Sequence, residues 1–311
     1  MGPVTEDRAA WVEAGGDAAR LDVLSRGGRV GVFTNGDARI LAAIHPDRRD
    51  TGTVGDWVGD DSVLRAAERW LAEQGCTAAE GPALLAPWFP SRVNLGPYEQ
   101  PPLLFEPTER PERWAAAGYE AIDRYVSIVA QHDLQIKAGM DRALKLGTRG
   151  WRLVPVETAP VSAVTPEAFD RVAPIVHDLA TRAYADVPGY LALPLDVVAD
   201  WYRPHAAQLD PRLSLLAYDP QGAPAAFVLA VRDAAQPARK WFQILALAVA
   251  PEHRHTGVAT WLVAASHQAA RKAGYVAGVH AQIRVSGDGV EDTTWLSGDL
   301  VRRYALYRKA W

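Results

Sequence analysis

The stretch Ile244-Leu245-Ala246-Leu247-Ala248-Val249-Ala250-Pro251-Glu252-His253-Arg254-His255-Thr256-Gly257-Val258-Ala259 decides the reading of this chain. An apolar run enters a short polar loop, reaches a glycine, and passes into a helical pattern at Thr260–Gly274. The order strand, loop, helix leaves backbone N–H groups free at the helix N-terminus. Such groups can hold an anion, for example a diphosphate. Gly257 has no Cβ, so the backbone can come close to the anion. Ala259 is small for the same reason, and Arg254 can add charge. The stretch lacks the Gly-Lys-Ser/Thr of a P-loop and the Gly-x-Gly-x-x-Gly of dinucleotide folds.

Around this stretch lie 311 residues, enough for two ordinary domains. Hydrophobic residues make up 49% and charged residues 23%, so a sizeable core can be buried. A net charge of −4 argues against a nucleic-acid-binding surface. The single cysteine, Cys76, rules out an internal disulfide and a cysteine-based zinc site; it reads as a small buried residue. There is no run of 18 uninterrupted apolar residues to span a membrane. The acidic start, Met1 to Asp7, lacks the apolar core of a signal peptide. The expectation is a cytoplasmic protein without membrane or nucleic-acid partners.

The pattern divides into two halves, 1–147 and 148–311. In the first, strands are expected at Gly28–Asn35, Ala38–His45 and Thr51–Val58. A helix at Ser62–Gln74 follows, capped by Asp61 or Ser62. Strands at Cys76–Glu80 and Pro102–Glu106 flank a proline-rich loop opened by Gly81-Pro82. A short helix at Arg110–Ala117 ends on Gly118 before a strand at Tyr119–Ala130. A linker helix covers Gln131–Leu146. The second half restarts at Trp151–Val156. Helices follow at Pro166–Ala185 and Pro194–Leu209, then a hairpin of Leu213–Tyr218 and Ala225–Arg232. Strands at Val276–Val285 and Val301–Lys309 come after the signature helix.

Arg-x-x-Gly-x-Ala after Val-x-Pro resembles the acyl-CoA pyrophosphate loop of the GCN5-related N-acetyltransferase (GNAT) superfamily. The element order of residues 151–311 is similar to the family's, and Gly81-Pro82 and Gly118-Tyr119 resemble a degenerate first GNAT half. The resemblance implies an α/β fold, mixed α+β in character, of two GNAT-like mixed-sheet units with flanking helices. It implies acyl-CoA, most simply acetyl-CoA, as co-substrate, no metal, and a small-molecule amine as acceptor. Leu247, Ala248, Val249, Arg254, His255, Thr256, Gly257, Val258, Ala259 and Thr260 are the expected CoA-binding residues. A backbone N–H at Leu247, Ala248 or Val249, near a strand bulge, would polarise the thioester carbonyl. The equivalent loop of the first half, Gly59-Asp60-Asp61, places carboxylates at a helix N-terminus, which repel a diphosphate. Only the second half is therefore expected to bind CoA, with the first as structural support or pocket wall.

The family's usual asparagine and tyrosine after the fifth strand are missing; the segment reads Ser286-Gly287-Asp288-Gly289-Val290-Glu291-Asp292. Candidate acid–base groups are Ser286, Glu291, Asp292 and Tyr304, although a core role for Tyr304 also fits. Tyr184 and Asp186 could meet a cationic amine, or could be a packed tyrosine and a turn. His253 and His255 lack a third metal ligand and read as solvated loop residues. His267 reads as a helix-surface residue and His280 as a strand residue. Three readings stand: an N-acetyltransferase, a catalytically silent acyl-CoA-binding or scaffolding protein, and an aminoacyl transferase using charged tRNA. The acidic charge and the intact CoA loop speak against the last.

Overall fold

The computed structural model describes residues 6–86, 88–89, 91–99, 101–107, 109–158, 163–187, 189–285 and 298–311. Two helices come first, α1 (Arg8–Glu13) and α2 (Ala18–Gly27), capped by the side chains of Asp7 and Asp17. Their short lengths hid them in the sequence. Strands β1 (Arg29–Asn35), β2 (Ala38–His45) and β3 (Arg48–Val58) form a meander. Helix α3 (Asp61–Glu73) follows. Its cap is Asp60, not Asp61 or Ser62: the Asp60 carboxylate accepts the Ser62 amide at 2.7 Å.

Next come β4 (Ala78–Gly81), β5 (Val93–Gly96), α4 (Pro111–Ala116) and β6 (Glu120–Ala130). The strand expected at Pro102–Glu106 does not form. Pro102 cannot donate to a ladder, and β5 pairs with the C-terminal strand instead. Helix α5 (His132–Gly147) leads to β7 (Arg152–Pro155) and α6 (Pro166–Tyr184). Helix α7 (Leu195–Tyr202) is shorter than expected, because Pro204 has no N–H to continue it and the chain tightens into a 3-10 turn. Strands β8 (Leu215–Tyr218), β9 (Pro224–Arg232) and β10 (Trp241–Val249) precede α8 (Val258–Lys272). β11 (Ala277–Val285) and β12 (Gly298–Ala310) complete the chain.

Among the described residues the strands form one sheet in the order β1-β2-β3-β4-β12-β6-β11-β10-β9-β8-β7, with β5 pairing beside β12. The order contains an exchange. β12, from the second half, lies between β4 and β6 of the first. β6, from the first half, lies between β12 and β11. Each half's sheet is thus closed by the last strand of the other. Side chains mix as well: Leu21, Leu24 and Leu84 share one core with Leu193, Val197 and Val198.

Helix α5 is fastened to α8. A Cβ on Gly139 would lie 2.1 Å from the Ala264 Cβ, so only glycine permits this helix approach.

Candidate functional site

Strands β10 and β11 run parallel and pair only over Trp241–Ile244 and Ala277–His280. Beyond the Ile244–His280 rung they part, although both lie in the middle of the sheet. Burial follows the parting. Phe242, Gln243 and Ile244 are buried, while Leu245, Ala246 and Leu247 are partly exposed. On β11, Ala277 to Val279 are buried and His280 to Ile283 partly exposed. The edge of β10 facing the split keeps main-chain groups without a β11 partner, and an extended ligand could add to it like a strand.

The expected strand bulge exists, but between Ile244 and Ala246, ahead of the expected Leu247–Val249. Its mark is in the packing. Phe242 and Ile244 face the same core as Leu247 and Val249, so the alternation slips by one residue at Leu245.

The β10 strand ends in a 3-10 turn, Pro251–His253, and then the loop 254–257. His255 and Gly257 both take positive φ, +65° and +91°. For Gly257 that backbone carries no steric penalty, and it turns the chain into α8. The Val258 amide donates to Thr256 Oγ1, and the Trp261 amide to the Gly257 carbonyl. The amides of His255, Thr256, Gly257, Ala259 and Thr260 have no acceptor among the described residues. Five free donors at a helix N-terminus form a cradle for an anion.

Arg254 does not point into this cradle. Its guanidinium donates to Asp186 Oδ2 at 3.1 Å and to the Ala183 carbonyl at 2.8 Å, tying the loop to the end of α6. The cation beside the cradle is Arg142 of α5. A Cβ on Gly257 would lie 2.8 Å from Arg142 Cδ and 3.2 Å from its Nε. Arg142 is exposed and makes no ion pair among the described residues. Sequence spacing could not find it, because it reaches the cradle from another helix.

Tyr184 donates its hydroxyl to the Leu247 carbonyl at 2.9 Å, and burial raises its pKa well above the usual tyrosine value. It therefore stands against the free stretch of β10. Asp186 is held by Arg254, away from Tyr184's hydroxyl contact. Near Tyr184 an aromatic wall continues through Tyr190 and Trp88, with His177 stacked on Trp88.

Tyr304 is 1% exposed and sits on β12, beyond β6 from the split. Its hydroxyl lies 3.1 Å from Ser127 Oγ and 3.4 Å from Glu106 Oε1; burial raises its pKa. Glu106 in turn pairs with Arg302 at 2.5 Å, both side chains nearly inaccessible. Ser127 Oγ also accepts the amide of Gln282, whose side-chain oxygen accepts from Arg92. Tyr304 is thus a core residue in a polar network that bridges the two halves. Ser286, Glu291 and Asp292 lie outside the described residues.

Two histidine expectations change. His253 is not a solvated loop residue: its ring packs on Trp151 and lies 3.5 Å from Asp219. His267 is not on the helix surface but fully buried. The missed signal is that Leu262, Ser266, His267 and Ala270 fall on one buried face of α8.

Residues 175–288 match the acetyltransferase (GNAT) family. That segment holds the split, the bulge and the anion cradle, so the family match covers the part of the chain that carries the candidate site. Solved structures are similar over nearly the whole chain. A conserved protein from Enterococcus faecalis V583 is 11% identical, with a TM-score of 0.58, covering 99% of this chain and 72% of that one. A tandem GNAT protein from the clavulanic acid biosynthesis pathway is 16% identical, with a TM-score of 0.50, covering 96% and 89%. A GCN5-related N-acetyltransferase from Kribbella flavida is 9% identical, with a TM-score of 0.51, covering 99% and 71%. At these identities the likeness is one of fold: a mixed α/β acyl-CoA N-acyltransferase fold, arranged in tandem. No match is found among curated protein sequences. No described helix is long and apolar enough to cross a membrane.

Proposed function

We propose that this protein transfers an acyl group, most simply acetyl, from acyl-CoA to the primary amine of a small molecule. The observation that carries the reading is the set of five free amides around Gly257, set at the end of a strand whose edge is left open by the β10–β11 split. The diphosphate would lie on His255, Thr256, Gly257, Ala259 and Thr260, with Arg142 adding charge. The pantetheine arm would run along Leu245–Val249 toward the bulge. A backbone amide at the bulge would then meet the thioester oxygen as charge develops there. Tyr184, Tyr190 and Trp88 would wall the acceptor.

Holding amine and thioester together supplies most of the acceleration in such a site, on the order of 7–11 kcal/mol at best. A side-chain acid or base adds ~10²–10⁴-fold. The test has two stages. Calorimetric titration with acetyl-CoA should give one site per chain, and turnover should then be measured against a panel of amines. Absence of acetyl-CoA binding ends the reading. Binding without turnover favours a silent acyl-CoA-binding protein, a reading supported by the burial of Tyr304 in a structural network.

A further inference from the structure

Three histidines from three elements form an unbroken chain beneath the split. His132 Nε2 on α5 lies 3.0 Å from the Tyr275 carbonyl oxygen. His132 Nδ1 lies 3.1 Å from His267 Nδ1, and His267 Nε2 lies 3.0 Å from His280 Nε2. Each gap is a hydrogen-bond distance and needs one proton within it. Among the described residues, no group of His, Cys, Asp and Glu is arranged to hold a metal.

The carbonyl at one end fixes every proton in the chain. A carbonyl oxygen only accepts, so His132 Nε2 carries the proton facing Tyr275. In a neutral ring His132 Nδ1 is then an acceptor, and His267 Nδ1 must donate to it. His267 Nε2 becomes an acceptor in its turn, and His280 Nε2 must donate. His280 Nδ1 is left as a lone pair with no partner among the described residues.

Burial keeps the rings neutral. His267 is pushed down to about 2 by desolvation, then by the neighbouring His280 and His132. His280 is pushed down to about 4 by desolvation, and His132 is lowered for the same reason. The charged neighbours at the far end, Asp133 and Arg271, satisfy each other at 2.6 Å.

The position of the lone pair matters. His280 sits on the last rung that joins β10 and β11, opposite Ile244. His132 and His267 are buried, whereas His280 is partly exposed. The chain therefore ends on the rung where the split opens, and Ile244 across that rung is the first residue of the bulge.

We propose that His280 Nδ1 accepts the proton of the attacking amine, and that His267 and His132 are positioning residues that hold His280 as the Nε2–H tautomer. This rests on the acyl-transfer reading above. The amine nitrogen forms a bond to the acyl carbon, the carbon–sulfur bond breaks, and the sulfur leaves with the electron pair. The amine proton passes to His280 Nδ1 and then to the thiolate, so the products are the amide and CoA thiol and His280 is restored.

The test uses the full chain labelled uniformly with ¹⁵N, with the histidine rings read in long-range ¹H–¹⁵N spectra and the backbone in amide spectra, at pH 7, with and without saturating acetyl-CoA. The expected pattern is Nε2–H on His132 and His280 and Nδ1–H on His267, with the His280 Nδ1 resonance moving together with the Gly257 amide. A His280 ring found as Nδ1–H, or unmoved while the Gly257 amide moves, overturns the proposal and leaves acyl-CoA binding intact. If neither moves, the acyl-CoA reading fails and this one with it. In turnover with the fastest amine of the panel, His280→Gln keeps an N–H for His267. It should lose ~10²–10⁴-fold in kcat at unchanged acetyl-CoA affinity, and a loss below about tenfold overturns the proposal. His267→Gln should lower kcat less and convert the His280 spectrum to a mixture of tautomers.

Discussion

The two halves turn from strand to helix in nearly the same way, yet they present opposite chemistry. Gly59 and Gly257 each stand before a helix with positive φ, +82° and +91°. At Gly257 five amides are free and an arginine lies alongside. At Gly59 a Cβ would strike Ala38 at 2.4 Å, Asp60 takes the Ser62 amide, and Arg113 bonds the carbonyls of Trp57 and Gly59. The splits differ in the same sense. Just beyond the last rung of β10 and β11, Leu245–Leu247 and Ala281–Ile283 are partly exposed. Beyond the β3–β4 rungs, the Ala83 amide donates to the Val54 carbonyl and the Leu85 amide to Thr53 Oγ1. Buried Trp114 fills the space against Gly81. A shared backbone turn is therefore no guide to binding; what fills the space around it decides.

That comparison can be broken in several ways. The largest effect expected is from Gly257→Asp, which puts a charge and a Cβ into the cradle and should abolish acetyl-CoA binding by calorimetry. Asp60→Ala, at the matching place in the first half, should leave the single site and its affinity unchanged. A second site in the wild-type titration would break the comparison outright.

Truncation probes the exchanged strands. Residues 1–147 alone lack β12, so β4 and β6 lose their shared partner and leave apolar sheet uncovered. The fragment should be insoluble or melt without cooperativity by circular dichroism; a sharp transition would show that the halves are independent.

Acid probes the histidine chain, which has no counterpart beside α3, where Trp70 and Leu71 face the core. His267 and His280 have folded pKa values below the ordinary value near 6.5. The unfolded chain then binds more protons than the folded one, so stability is full above about pH 6.5 and falls as pH drops toward 4. The slope should be about 1.4 kcal/mol per pH unit for each fully neutral histidine. Urea midpoints between pH 7 and 5 measure it, and His267→Phe should flatten the slope whatever its effect on the midpoint at pH 7.

The docking of α5 sets a smaller effect. Gly139→Val should cost about 1–3 kcal/mol by forcing α5 off α8, and it should weaken acetyl-CoA by moving Arg142. The smallest change expected is from Arg142→Ala, which removes one charge-assisted contact of about 1.5–3 kcal/mol at most and less where solvent screens it. Roughly tenfold weaker binding at low salt, narrowing at high salt, would fit; no change would return the role to Arg254.

Much of this was legible in the chain. Most strands and helices of both halves came from alternation and from turn residues such as Asp219-Pro220-Gln221-Gly222, which closes β8 and β9. The misses share a cause. Helices α1 and α2 are too short for a clear period, the Leu103–Glu106 segment is held by Arg302 and not by a ladder, and the slip at Leu245 shows only when both faces of β10 are compared with their cores. Arg254 is near the cradle in sequence but is tied to Asp186 and Ala183, whereas Arg142 comes beside Gly257 from a distant helix.

The sequence by itself determined the cradle and the contrast between the halves. Both are local: a glycine that permits positive φ, small residues after it, and carboxylates or none at a helix start act through neighbouring backbone. The tertiary structure decided the rest. The exchange of β6 and β12, the approach of Arg142 to Gly257, and the contact of His132 with His267 join residues more than a hundred positions apart. Such contacts are set by how sheet and helices pack, through burial and hydrogen-bond geometry that no local pattern carries.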